Sequence, residues 1–401
     1  MTRTVGPPRG RSEIDAFSDV LTDSLNFPPR GQVDFMSRYE ATDVRVVRAG
    51  DRVTGGLVYL PTGQYFGGQR IPMTGIHAVA IAPEERGTGV GRLLLQETTR
   101  ELARPGGPPI ACLYPATQPI YRSVGFEQAG TYTQYRVPIA ALPVGPHDLA
   151  VERLPPDVAV VADRLGPIYG RFARRQNGFV DRSEWFWRRQ VDPLSGETRA
   201  VYAVREQGAI TAYATLRRRW QVGGQGHMSQ DVLCRELVAE TPAAARRLVT
   251  LIADDRSLGQ HLVIQGPPSW VDAMLLVEQS LEVDMQLRWM LRILDVAGAL
   301  EARGYPPGLA ITVGFEVDDD LVDRNRGRFS LEVSGGRGRV TRGGAGERSV
   351  ALGVRALAAL FSGYLPAEEL ARAGMAAGAG DALAAATAVF AGPAPWLAEI
   401  F

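Results

Sequence analysis

The sequence predicts a protein of mixed α/β and α+β class, in which one unit is used twice and a differently ordered α+β domain follows. Three observations carry this prediction. In IHAVAIAPEERGTGVGRLLL, residues 76–95, a strand runs through a glycine-rich turn into an apolar helix. The order of elements around that stretch recurs, with weak identity, after a Pro-rich junction at residues 145–158. From residue 287 onward, strands come in a run flanked by helices. A chain of 401 residues has room for three such domains.

The first unit opens with SEIDAFSDVLTDSL, residues 12–25, read as a helix capped by Ser12. DVRVVRAGDRVTGGLVYLP gives two strands around a Gly-Asp turn, and a further strand ends near Pro83. Val90 to Ala103 reads as a helix, with Val90, Leu94, Leu95 and Leu102 as its apolar positions. IACLY is the next strand, Gln118 to Val124 a short helix, and FEQAGTYTQYRV a closing pair of strands.

The second unit begins with helices at Val158–Asn177 and Glu184–Gln190. AVYAVREQGAITAYATLRR then reads as a hairpin with a Gln-Gly turn. VLCRELVAETPAAARRLVTLIADD is a strand followed by a helix entered through Thr241-Pro242, a cap and a first-turn proline, with no glycine loop. GQHLVIQG follows as a strand. In the last domain LRWMLRILDVAGALEARGY reads as helical, GLAITVGFEVDDDLVDRNRGRFSLEVSGGRGRVTR as strands and turns, and VRALAALFSGYLPAEELARAG and DALAAATAVFAG as helices. AGMAAGAG is expected as an exposed turn. Three aromatics in a row, Trp185, Phe186 and Trp187, read as inter-domain core.

Bulk chemistry excludes several functions. Formal net charge is zero, so no global field favours nucleic acid or an anionic membrane. All 44 Lys-plus-Arg cations are arginine, which removes Schiff-base lysine chemistry and the P-loop lysine. Cys112 and Cys234 match no metal or redox spacing and are expected as buried thiols. No metal is expected. Asp318, Asp319 and Asp320 lack the glycine and glutamate of a calcium loop and read as a solvated turn. His147, His227 and His261 join no constellation. The N-terminus lacks a signal-peptide core, and no run of about 18 apolar residues could span a membrane, so a cytoplasmic protein is expected.

The glycine loop excludes two phosphate-binding motifs. A P-loop needs Gly-Lys-Ser/Thr, whereas Arg92-Leu93 follow Gly91 here; a dinucleotide fingerprint would need a third glycine where Arg92 stands. Arg86-x-x-Gly89-x-Gly91 between strand and helix fits a pyrophosphate cradle. Bare backbone and unpaired first-turn amides would face the anion, and the helix dipole favours its charge. A tight turn without a ligand is the alternative reading of the motif alone.

AIAPEERGTGVGRLL resembles the acetyl-coenzyme A loop of the GNAT superfamily of N-acetyltransferases, and IYRSVGFEQAG, residues 120–130, resembles that family's Tyr-x-x-x-Gly-Phe segment. LRILDVAGALEARGY, VSGGRGRVTR and LFSGYLPAEELARAG, with the three-part plan, resemble the enhanced intracellular survival (Eis) proteins. The resemblance implies a catalytic GNAT domain at residues 1–148, a degenerate GNAT-like domain at 149–286 without a cofactor loop, and a sterol-carrier-like domain at 287–401. It implies acetyl-coenzyme A as cosubstrate, direct attack by a primary amine in a ternary complex, and a homo-oligomer, a hexamer.

Carried onto this chain, the resemblance assigns the pantetheine-facing strand to Val79, Ala80 and Ile81, and the cradle to Arg86, Gly87, Thr88, Gly89, Val90, Gly91 and Arg92. Tyr121 matches the proton donor to the departing thiolate. The terminal carboxylate, here on Phe401, matches the base; the acid expected directly before that Phe is absent, Glu399 lying one place earlier, so a role for Glu399 is in doubt. The apolar tail PAPWLAEIF is expected to dock. His77 is an alternative base. Asn26, Phe27 and Phe35 fall where the amine pocket is built, and Tyr114 and Tyr132 are taken as packing. The resemblance implies an aminoglycoside-like polyamine as acceptor; with only Asp34 and Glu40 as acids between residues 24 and 40, another small amine or a peptide amine stays open beside it. The competing function is a non-catalytic protein that binds an apolar ligand through its sterol-carrier-like domain.

Overall fold

The computed structural model describes residues 3–27, 35–191, 199–222, 228–268, 276, 278–344 and 348–401. Along the chain the first elements are β1 (Arg3–Gly6), α1 (Arg11–Leu25), β2 (Val44–Ala49), β3 (Arg52–Phe66), β4 (Gln69–Ile81), α2 (Val90–Leu102), β5 (Ile110–Leu113) and α3 (Gln118–Arg122). There follow β6 (Glu127–Pro138), β7 (Ala150–Leu154), α4 (Val158–Ala173), β8 (Val180–Asp181), α5 (Glu184–Val191), β9 (Ala200–Glu206), β10 (Ala209–Val222), β11 (Met228–Ala239), α6 (Pro242–Ala253) and β12 (Gly259–Gly266). The last are β13 (Glu282–Ile293), α7 (Val296–Ala302), β14 (Ile311–Asp318), β15 (Gly327–Ser334), β16 (Arg337–Arg342), β17 (Ser349–Gly353), α8 (Val354–Ser362), α9 (Ala367–Arg372), β18 (Ala376–Gly378) and α10 (Gly380–Val389). Contacts divide the chain into unit 1, residues 1–130, 288–392 and 401, and unit 2, residues 131–287 and 393–400. No helix among the described residues is long and apolar enough to cross a membrane.

In unit 1 the strands follow the order β1-β2-β3-β4-β5-β13. Alternation along β3 and β4 feeds two cores. Leu57 and Ile76 pack with Leu94, Leu95 and Leu102 of α2, while Val58, Ala78 and Ala80 pack with Phe17, Val20 and Leu21 of α1. Each fully buried leucine contributes about 1.5–3 kcal/mol relative to exposure. A second sheet, β16-β15-β14-β17-β18, belongs to the same unit.

Five expectations are corrected here. The cap of α1 is Gly10 rather than Ser12, and no side chain bonds the first turn. FEQAGTYTQYRV forms one long strand, β6, rather than a pair. Residues 287–293 are strand: Trp289 to Ile293, Arg292 included, are buried on both faces of β13, so the run shows no alternation to tell strand from helix. Within AGMAAGAG, Ala376–Gly378 pair with β17 as an edge strand. Asp319 is buried, not solvated: it accepts from Arg292 at 2.7 and 2.8 Å and from Asn325 at 2.9 Å, whereas Asp318 and Asp320 stay exposed. Both cysteines are buried thiols.

In unit 2 the order is β6-β12-β11-β10-β9-β7. The β9–β10 hairpin turns on Gln207 and Gly208, both with left-handed φ. Thr241 caps α6 by accepting from the Ala244 amide, as its sequence predicts. Phe186 and Trp187 are buried, and Trp187 meets Tyr169 of α4 edge-on at 5.5 Å.

Arg48, 4% exposed, holds Glu13 of α1 at 2.6 and 2.7 Å. That bond, joined by the Arg9 amide, overrides burial and lowers the Glu13 carboxyl from 4.5 to about 2. A depressed carboxylate stabilises the fold above its unfolded value and loses that contribution as pH falls through its folded value. Glu13→Gln is therefore expected to be less stable than the parent above pH 4.5, and the gap in denaturation midpoint should close as pH approaches 2. A gap independent of pH would contradict the ion pair.

Candidate active site

β4 carries two irregularities at its C-terminal end. Its register with β3 shifts between Gly56 and Val58, so Leu57 alone stands opposite Ala78 and Val79. Ala78 takes φ 53° in this bulge, a backbone state uncommon for a residue with a side chain. On its other side β4 pairs with β5 only from Met73–Ile110 to Gly75–Cys112, although β4 continues to Ile81. The edge from Ile76 to Ile81 thus has no β5 partner among the described residues. Val79, Ala80 and Ile81 lie on this open edge, and the Ile81 carbonyl accepts from Ser24 Oγ at 2.9 Å.

The chain turns from this edge through Pro83–Glu85 and the left-handed Gly87 and Gly89 into α2. Gly89 caps the helix with φ 88°, and a Cβ there would meet nothing within 4 Å, so conformation rather than crowding calls for glycine. The first turn of α2 holds no acid and no capping side chain. Its amides therefore have no capping side chain among the described residues, beside the positive end of the helix dipole.

The loop acids are already occupied. Arg52 pairs with Glu84 and Glu85, and Arg3 of β1 pairs with Glu85 at 3.0 Å and bonds Thr88 through its carbonyl and hydroxyl. Arg86 and Arg92 are exposed; Arg86 donates to the Ser24 carbonyl at 3.3 Å, and Arg92 has no partner among the described residues. The local field is cationic where an anion would arrive.

Tyr121 lies in α3, 5% exposed, in the same apolar cluster as Ile76, Val79 and Ile81. Its ring meets Phe126 edge-on at 6.3 Å, and its hydroxyl has no hydrogen-bond partner among the described residues. Burial pushes the phenol up to about 12. It can donate a proton but does not idle as an anion.

The tail docks. In unit 2 Thr131 exchanges main-chain bonds with Pro395 and Leu397 at 3.1 and 3.0 Å, and Trp396 stands edge-on to Phe179 at 4.6 Å. Glu399, 1% exposed, accepts from Arg182 at 2.6 Å; the same guanidinium holds Glu236 and stacks on Tyr169 and Trp187. Although burial opposes its charge, the two carboxylates raise Arg182 above its ordinary value. Glu399 therefore has an anchoring role that the sequence left in doubt. In unit 1 the Phe401 ring lies edge-on to Tyr114 at 6.0 Å. A Cβ on Gly75 would stand 2.8 Å from that ring, so the missing side chain is what admits it.

Gly75 and Ile76 are consecutive in β4 and point to opposite faces. Phe401 meets the end of the ladder from one face, and the Tyr121 cluster from the other. His77 shares the Gly75 face, and its ring lies tilted by 41° to that of Tyr39 at 6.0 Å. Asn26 is the left-handed C-cap of α1, and Phe27 packs partly buried against the α1 core. Phe35 begins a short 3-10 turn; its side chain, Asp34 and His227 lie outside the described residues. Among those residues no cluster of His, Cys, Asp or Glu could hold a metal. Gly75 was missed in the sequence, where a glycine inside a strand was the available signal of close approach; Tyr114, taken as packing, packs against the terminal ring.

Seating of the tail is testable by size. Gly75→Val is expected to destabilise by about 1–3 kcal/mol through overpacking. Adding Phe401→Ala should recover most of that loss in a double-mutant cycle of thermal unfolding. Strict additivity would mean that the ring is not seated on Gly75.

Comparison with known proteins accords with this geometry. Acetyltransferase (GNAT) domain families match residues 8–129 and 178–293, and the Sterol carrier protein domain family matches residues 296–398. The chain is 28% identical over 354 residues to an uncharacterized N-acetyltransferase of Streptomyces griseus, covering 84% of this chain and 83% of the relative. A crystal structure of a GCN5-related N-acetyltransferase from Anabaena variabilis is 32% identical, with TM-score 0.93 and full coverage of both chains. Eis1 from Mycobacterium abscessus, 23% identical with TM-score 0.80 over 99% of this chain and 100% of that one, shares the fold. The two acetyltransferase domains, the sterol-carrier domain and the whole-length relative make this chain an enzyme, and it belongs to the GCN5-related N-acetyltransferase family.

Proposed function

We propose that unit 1 transfers an acetyl group from acetyl-coenzyme A to a primary amine by direct attack in a ternary complex. The observation that carries this reading is the open β4 edge leading straight into a helix N-terminus that no side chain caps. The edge offers main-chain groups to a pantetheine arm laid alongside it as a strand would be. The first-turn amides of α2, with Arg86 and Arg92, suit a diphosphate. The bound cosubstrate supplies the acetyl group as an activated thioester.

The chain's own residues divide the remaining work. The phenol of Tyr121 gives its proton to the sulfur as the carbon–sulfur bond breaks. The α-carboxylate of Phe401 receives the amine proton as the carbon–nitrogen bond forms; seating beside Tyr114 and Gly75 holds it where β4 parts from β5. Main-chain amides at the bulge polarise the carbonyl. The acceptor is a small amine or a peptide amine. A polycationic aminoglycoside would need more acids than Asp34 and Glu40 provide in residues 24–40.

Release of free thiol from acetyl-coenzyme A, followed across a panel of aminoglycosides, simple amines and peptides, should show amine-dependent turnover with simple amines or peptides. No turnover with any of them would defeat the proposal. Tyr121→Phe should lower kcat about a hundredfold or more and leave acetyl-coenzyme A affinity within a few-fold. Because burial holds the parent phenol protonated up to about 12, its rate should show no alkaline fall near 10. A Gly-Ser extension beyond Phe401 should abolish activity in a folded enzyme; full activity would transfer the base role to His77.

A further inference from the structure

Unit 2 repeats the fork without the phosphate loop. β11 pairs β12 in parallel and the ladder stops at Cys234–Ile264. The β10–β11 register shifts between Thr215 and Leu216, leaving Arg235 as the extra residue just past that point. A ladder that stops with a bulge beyond it is also what β4 shows in unit 1. The helix that follows, α6, is capped by its own Thr241, so no phosphate cradle forms there. The second fork holds cationic side chains instead.

The sheet sorts by parity. Leu216, Val232, Cys234, Leu262 and Ile264 build the core beneath α6. On the opposite face Thr215, Arg217, Arg219, Arg235 and Gln265, with Arg199, line a cavity of about 190 Å³. The one carboxylate in its wall among the described residues, Asp284, is held by Arg136 at 2.9 Å. Asp231, which bonds Arg219 at 3.4 Å, is shared with Arg136 and His261. Glu236 and Glu399, the carboxylates whose charge reaches Arg235, are bonded to Arg182.

Arg235 is therefore the decisive group. Its Nε and Nη2 are shielded from solvent and have no hydrogen-bond partner among the described residues. Buried charged donors are rarely left so. The Tyr132 hydroxyl, 2.6 Å from the Gln265 side chain, orients that amide toward the Arg235 and Ala398 carbonyls, which fixes the wall beside the guanidinium. Burial lowers Arg235, and burial with Arg219 alongside lowers Arg217; a bound anion would relieve both.

We propose that this cavity is a second ligand site, distinct from the acetyl-transfer site, that takes one compact oxyanion, a phosphoryl or carboxylate group, with Arg235 as its fork-shaped partner. Guanidinium geometry matches both groups. The volume suits an ion or small acid and falls below the roughly 300–1,000 Å³ of common ligand pockets. The inference holds whether or not unit 1 transfers acetyl groups.

Calorimetric titration of the full chain with inorganic phosphate, and separately with succinate, at constant ionic strength set by chloride, tests it. Saturable heat is expected from at least one, the two arms separating phosphoryl from carboxylate preference, and Arg235→Gln should weaken that affinity tenfold or more. No saturable heat from either anion, or a smaller loss in a variant with parental circular dichroism, overturns the proposal. Should Arg235→Gln fail to fold, Arg217→Gln takes its place with the same threshold.

Discussion

The proposed acetyl-transfer site depends on β4 losing its neighbour. Backbone groups in a sheet interior are normally paired, and an open strand edge invites any chain that can pair with it. Here the β4–β5 ladder ends at Gly75–Cys112 while β4 runs on to Ile81, held on its far side by β3. The result is a rigid edge with one side satisfied and one side open. Placing a helix without a side-chain cap immediately after that edge puts main-chain donors of two kinds, strand and helix, within one continuous path. Arg3 and Arg52 neutralise the loop acids and leave the path attractive to an anion.

Buried ion pairs do the corresponding work for the tail. Arg182 with Glu236 and Glu399 is a desolvated cluster, and removing one member would strand a charge of the other sign. Such clusters add little net stability over an apolar equivalent but discriminate strongly between registers. An Ala in place of Glu399 would leave the tail apolar contacts intact while removing that discrimination. The same reasoning applies to Arg292 and Asp319 in unit 1, where the acid also accepts from the amides of Leu321 and Val322.

The glycine loop, the helix it opens and Tyr121 were legible because local rules dictate them: punctuation by glycine, apolar period and a short motif. The missing loop of unit 2 was legible for the same reason, in Thr241-Pro242. Residues 287–293 were not, since a run buried on both faces carries no period. Asp319 was hidden because its fate depends on Arg292, distant in sequence, and Gly75 because its partner ring arrives from the end of the chain. Arg235 gave no signal at all; its isolation follows from Glu236 and Glu399 being committed to Arg182.

In the proposed site α2's first-turn amides and their arginines bind a diphosphate at the end of the open β4 edge. Comparing the affinity of acetyl-coenzyme A with that of acetyl-pantetheine, which keeps the thioester and the strand-like arm but lacks the diphosphate, tests it most directly. Charge-assisted bonds of about 1.5–3 kcal/mol each predict that acetyl-coenzyme A binds at least a hundredfold more tightly. Equal affinity would contradict the account and leave the loop as a turn.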